Sequence, residues 1–146
     1  DKYSGIAKWH KSLAKEVLAT GKITNESGRQ YAFPDAQRRA GGKVTHFTMI
    51  KNYPVQGLAT ADIVPVVVME LEERLRPLQS CLVNTVHDSA VVDVHPNEKE
   101  YVLQIIRNLN DDLDKIIHEA YGIELCVPML LEAKIGNNWL DTKDVL

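Results

Sequence analysis

Val83-Asn84-Thr85-Val86-His87-Asp88-Ser89-Ala90-Val91-Val92-Asp93-Val94 carries the reading of this chain. Two runs rich in β-branched and apolar residues flank His-Asp-Ser, the pattern of a β-hairpin whose turn holds the polar residues. Asp88 is thereby presented at the hairpin tip. A carboxylate there gives up solvation and repels other acids, and a bound divalent metal is a common compensation. The stretch therefore points to metal-assisted chemistry. No second acidic strand-end motif accompanies it, so half of such a site is expected from elsewhere.

The segments around the hairpin define the fold class. Pro96-Asn97-Glu98 opens a long helix to about Tyr121, with Val102, Ile105, Ile106, Leu109, Leu113, Ile116 and Ile117 as its apolar stripe and Gly122 as its stop. Residues 44–75 are helical in pattern, interrupted at Asn52-Tyr53-Pro54, where Pro54 suits the first turn of a new helix. Pro65 predicts a kink within it. Residues 1–20 carry Ile6, Trp9, Leu13, Val17 and Leu18 at helical spacing, and Gly21 ends that helix. Residues 22–33 predict a second hairpin turning near Asn25 to Gly28, 35–43 a basic, glycine-containing loop, and 124–135 a last strand. The expected class is α+β: a small, mostly antiparallel sheet with long helices packed on one face, in a single partial domain covering 1–146.

Charge is unevenly placed. Residues 1–51 hold ten Lys or Arg against four Asp or Glu, and residues 52–146 hold seven against sixteen, within a net charge of −3. A basic front and an acidic rear suit a protein that tracks a phosphate backbone with one part and holds metal cations with another; solvated helix faces give the same pattern. Cys81 and Cys126 sit in apolar segments, which favours buried free thiols in a reducing compartment. Trp9 and Trp139 are expected to pack rather than to stack on bases. No apolar run approaches the roughly 18–20 residues of a membrane span, so no membrane partner is expected. The chain opens on Asp1 rather than Met and is expected to be a piece of something longer.

Asn52-Tyr53-Pro54-Val55-Gln56-Gly57-Leu58-Ala59-Thr60-Ala61-Asp62, followed further along by Val86-His87-Asp88, resembles the family A DNA polymerases, the bacterial DNA polymerase I group and its phage relatives. Gly28-Arg29-Gln30-Tyr31-Ala32-Phe33-Pro34-Asp35 is similar to the family's Gly-Arg-rich hairpin, and Lys134-Ile135-Gly136-Asn137-Asn138-Trp139-Leu140 to its closing segment. These four landmarks, in the family's order over the whole chain, are far more specific than His-Asp-Ser alone.

The resemblance implies the later part of a polymerase palm, working by template-directed nucleotidyl transfer with two Mg²⁺ ions. Asp88 matches a catalytic, metal-binding aspartate, and His87 matches a histidine near the primer terminus. Asn52 and Gln56, four apart on one helix face, match positions facing the minor groove of the primer-template, where acceptors recur in nearly constant places whatever the sequence. Arg29, Arg38, Arg39 and Lys43 are candidates for DNA-backbone contacts. Implied partners are primer-template DNA, a deoxynucleoside triphosphate and the N-terminal polymerase part. The implied location is the cytoplasm of a bacterial or phage-infected cell. Taken without the resemblance, His87 is a turn residue, Asn52 a helix N-cap, Gln56 a solvated side chain and the four cations solvated charges.

Two departures qualify the match. Ser89 stands where the bacterial enzymes usually have glutamate, which resembles phage variants. The segments that would hold the first catalytic aspartate and the nucleotide-binding helix precede this chain, so the chain alone is expected to be inactive. Asp93 should face away from Asp88 on the strand, and neither it nor Glu132 completes a two-metal site. The competing reading is a catalytically inactive remnant that binds DNA or a protein. Histidine-aspartate phosphohydrolase, zinc, phosphate-loop and serine-triad patterns all lack their spacing here.

Overall fold

The computed structural model describes residues 3–146, which divide into two compact units meeting in sequence between Asp62 and Ile63. The first unit begins with helix α1, Ser4–Thr20. Leu13, Ala14 and Val17 line its buried face, and Gly21 ends it in the left-handed conformation at φ 72°, donating its N–H to the Val17 carbonyl at 2.8 Å. The stripe outruns the core: Ile6 and Trp9 remain 48% and 39% exposed.

Strands β1, Lys22–Thr24, and β2, Gln30–Ala32, pair antiparallel as the expected hairpin. Ile23 and Phe33 from this hairpin join Leu13, Val17 and Ile50 in one core cluster, with Tyr31, Ala36, Val44 and Tyr53 packed around it. Beyond it, the Arg38–Val44 bridge and the Arg39 N–H to Lys43 carbonyl bond of 2.7 Å close residues 38–44 into a tight turn. The basic loop is thus ordered, with Arg38, Arg39 and Lys43 exposed on it.

Helix α2 runs Phe47–Gln56 and holds Pro54 in its interior, so the expected break at 52–54 is absent. The helix opens at Phe47, inside the expected helical stretch from 44, and Ile50, wholly buried, anchors its first turns to the core. The irregularity lies further on, where the backbone widens into a π-helix over Gly57–Ile63. Pro65 follows directly, at the start of α3, Val64–Leu75, and so lies within the continuous helical stretch next to the π-helix. Together Phe47–Leu75 forms 29 helical residues with an 18-residue window of mean hydropathy 1.3. By length and composition this segment could cross a membrane, against the sequence expectation. Its two prolines and the buried Asp62, tied to an arginine, argue for packing within protein instead, since an ion pair is expensive in hydrocarbon.

In the second unit, α3 packs on α4, Lys99–Tyr121. Val67, Leu71 and Leu75, spaced four apart, are buried on α3, and Val102, Leu103, Leu109, Leu113 and Ile117 on α4. Arg74 locks the pair, bonding Glu70 at 2.8 Å on its own helix and Asp112 at 2.7 Å across. Gly122 at φ 68° caps α4 as expected.

Strands β3, Cys81–Val86, and β4, Ser89–Asp93, form the central hairpin, with a bulge between Leu82 and Asn84. The fold is α+β, its strands arranged as separate two-stranded antiparallel sheets. Three expectations need correction. Cys81 and Cys126 are free, as predicted, but exposed rather than buried. The last strand shrinks to β5, Lys134–Ile135, paired with β6, Lys143–Asp144. The stretch before it lacks a strand partner and is held by Asn110, whose side chain bonds both the N–H and the carbonyl of Leu131 at 2.6 and 3.0 Å. Trp139 is 66% exposed and Leu140 89%, so the closing Trp-Leu does not pack within this chain.

Gly57, at the start of the π-helix, sits against the Tyr31 ring so closely that a Cβ there would fall on the phenol hydroxyl. That hydroxyl is buried with no hydrogen-bond partner among the described residues. Gly57→Ala should therefore cost about 1–3 kcal/mol in urea unfolding, as overpacking does. Adding Tyr31→Phe should restore part of it, since the ring Cζ would still stand 2.7 Å from the new methyl; equal losses in both backgrounds would contradict this packing.

Candidate active site

The hairpin β3–β4 turns through two residues, since Val86 pairs with Ser89. His87 occupies the first at φ 56°, a left-handed conformation that costs a non-glycine residue about 1–2 kcal/mol. Strain of this kind concentrates at functional sites. Ser89 closes the turn by donating its hydroxyl to the Val86 carbonyl at 2.8 Å. His87 and Asp88 both stand exposed at the tip. Of the two acids weighed as companions of Asp88, Asp93 pairs with Cys81 at the opposite end of the hairpin, and Glu132 lies outside the described strands. Among the described residues no group of three His, Cys, Asp or Glu could hold a metal ion. Asp88 is a solvent-exposed hard oxygen donor that belongs to no such group among the described residues.

The hairpin base is built quite differently. The Glu98 carboxylate accepts from the N–H groups of Gln79 (3.1 Å) and Ser80 (2.8 Å) and from the Ser80 hydroxyl (2.7 Å). The Ser80 oxygen in turn accepts the His95 N–H at 3.0 Å. These bonds, the Ser80 hydroxyl first and the Gln79 amide next, hold the Glu98 carboxyl below its usual range. Nothing in the sequence reading singled out Ser80 or Glu98; the signal was an acid at the mouth of a helix that closes a hairpin.

In the first unit, α2 places Asn52 and Gln56 on one exposed face, beside Val55 at 56% exposure. Asn52 lies inside the helix, so it is not an N-cap. Arg38, Arg39 and Lys43 sit together on the tight turn. Arg29 is engaged elsewhere. Its guanidinium bonds Asp62 through Nε at 2.8 Å and Nη2 at 2.6 Å, and Nη2 also reaches the Ala61 carbonyl at 3.2 Å.

Asp62 is 3% exposed and also accepts from Asn25 at 3.1 Å and Ser27 at 2.6 Å. Burial by itself would raise its carboxyl; the bonds from Arg29, Ser27 and Asn25 outweigh burial and lower it. Asp62 was legible only as part of a motif. An acid inside an apolar helical run, with Gly-Arg in a preceding hairpin, is the pattern that could have found the tie.

Residues 1–141 match DNA polymerase family A, and the chain belongs to that family. It is 28% identical over 139 residues to the thermostable DNA polymerase I of Thermus filiformis, covering 94% of this chain and 16% of that protein. It is 25% identical over 160 residues to DNA polymerase I of Synechocystis sp., covering 97% and 15%. Against DNA polymerase I of Aquifex aeolicus it is 27% identical over 146 residues, covering 97% and 22%. The chain thus spans less than a quarter of each of these relatives.

Because the Asp62 carboxyl is depressed in the folded state, its stabilisation is present above the ordinary carboxyl pKa of about 4. It is lost as pH falls through the lower folded value. Asp62→Ala should cost about 3 kcal/mol at neutral pH, the lower end for breaking a buried pair because Arg29 is 45% exposed. Acid titration of stability should be shallower in Asp62→Asn than in the natural chain; parallel curves would contradict the assignment.

Proposed function

We propose that this chain is the C-terminal part of a DNA-directed DNA polymerase, carrying the later palm region and acting in template-dependent nucleotidyl transfer. The observation that carries the reading is the strained His87–Asp88 turn, exposed at the tip of a hairpin, in a chain of DNA polymerase family A. Asp88 is the residue that would hold Mg²⁺, as one carboxylate of a two-ion site completed by the N-terminal polymerase part. Mg²⁺ held there would lower the pKa of the primer 3′-hydroxyl and neutralise the pyrophosphate leaving group. His87 lies beside that carboxylate and contacts the primer terminus.

Asn52 and Gln56 donate amide hydrogens to the minor-groove acceptors N3 and O2, which checks base-pair geometry without reading sequence. Arg38, Arg39 and Lys43 neutralise backbone phosphates, a contribution that weakens with salt. Arg29 shares this surface with its half-exposed edge while its inner edge holds Asp62. The partners are primer-template DNA, a deoxynucleoside triphosphate and the upstream polymerase part. The setting is the cytoplasm of a bacterial or phage-infected cell, with no membrane role. Ser89, which bonds within its own turn, is compatible with a phage-type variant. Among the described residues no group of three metal-ligating side chains includes Asp88, which favours one other reading, an inactive remnant that binds DNA or a protein.

Primer extension with Mg²⁺, by the chain alone and with the upstream polypeptide, separates the two. Extension with both, reduced at least about a hundredfold by Asp88→Ala, is the expected outcome. Duplex binding without extension in either case would leave the remnant. Gln56→Ala should raise the KM for primer-template about tenfold, within the range of a lost groove contact. His87→Gly should slow extension while stabilising the hairpin by about 1 kcal/mol through relief of the left-handed residue.

A further inference from the structure

We infer that Glu98 is a positioning residue for the Asp88 hairpin, acting through Ser80 to fix the angle at which the hairpin leaves the body of its unit. The inference rests on the reading of Asp88 as a catalytic carboxylate. No residue of β3 or β4 is fully buried; Leu82, Val86, Val91 and Val92 are half-buried and α3 touches β3, so the hairpin is lightly packed and its tip stands clear of the core. Its direction depends on its base. There Glu98, just before α4, grips the entering strand at the amides of Gln79 and Ser80. The Ser80 hydroxyl gives its one proton to Glu98 and takes the N–H of His95 on the departing strand. Both ends of the hairpin are thus joined to one carboxylate, and Ser80 is 2% exposed where they meet. The hydroxyl has its donor and acceptor roles both filled.

The geometry makes this clamp consequential. Six residues of β3 separate Ser80 from the turn, roughly 20 Å of strand. A change of about 5° at the base moves the tip by about 2 Å, and displacements near 1 Å cost on the order of a hundredfold in rate when a reacting group is misplaced. Glu98→Gln puts an amide where three donors converge. Ser80→Ala removes the link to His95, and Ser80→Thr keeps the hydroxyl.

Two measurements decide it. Hydrogen exchange of residues 81–94 in the chain should rise at least about tenfold in Glu98→Gln and Ser80→Ala, with the α4 amides unchanged, and return toward the natural rate in Ser80→Thr. Single-turnover incorporation with the upstream polypeptide should fall at least about tenfold in the same two variants, at primer-template affinity within twofold of the natural chain. Unchanged hairpin exchange overturns the inference whatever the activity does. Faster exchange at an unchanged incorporation rate overturns the positioning role. If Asp88→Ala leaves extension intact, the polymerase reading of Asp88 fails, and with it the catalytic purpose of the clamp, while exchange still reports whether the clamp exists.

Discussion

A two-stranded hairpin cannot bury both of its own faces, and this one fully buries no residue, with only Leu82, Val86, Val91 and Val92 half-buried. Every residue of Cys81–Val86 and Ser89–Asp93 keeps solvent contact, including Val83 at 55% exposure. Isolated hairpins are marginal in water, and apolar strands with open edges invite pairing with another strand. The exposed Cys81, the exposed Asp88 and the dependence on Glu98 all follow from that one constraint. A chain that spans less than a quarter of its DNA polymerase I relatives presents this hairpin lightly packed. Trp139 and Leu140 are likewise apolar and exposed.

The two units solve the problem of buried charge in different ways. In the first, Asp62 is almost wholly enclosed and satisfied by three side chains of one hairpin, Asn25, Ser27 and Arg29. That hairpin touches the π-helix at both ends, through Tyr31 against Gly57 and through Arg29 at Ala61 and Asp62. A π-helix is a poor structure by itself, and contacts at both ends are what such a segment requires. In the second unit the ionic contacts are half exposed, as with Arg74 between Glu70 and Asp112, and contribute little beyond fixing register. Its stability comes from the apolar seam between α3 and α4 instead.

Periodicity and caps made much of this readable from the residues. The stripe of α4, the glycine stops at Gly21 and Gly122, and the hairpin over 22–33 are local signals, and local signals survive in the structure. Burial was legible only where a partner surface lies in the same chain. Cys81 and Cys126 lie in apolar segments that predicted burial, yet both are exposed. The segment 124–135 has strand composition, but composition cannot provide a neighbouring strand. Pro54 misled because a buried Ile50 holds the helix through the position that proline would break. Of the site, the Asp88 turn was evident from its chemistry. Asp62, Ser80 and Glu98 were not, because each depends on contacts across 15 or more residues of sequence.

Metal localisation is the most direct measurement on the central claim, that Asp88 is one ligand of a divalent-cation site completed outside this chain. Mn²⁺ titrated into the ¹⁵N-labelled chain should leave the amides of residues 86–89 nearly unbroadened when the chain is alone. With the upstream polypeptide and primer-template present, those amides should broaden at low Mn²⁺, and Asp88→Asn should abolish the effect. Metal-dependent nucleotide incorporation with residues 86–89 still sharp, or broadening centred on another part of the chain, would contradict it.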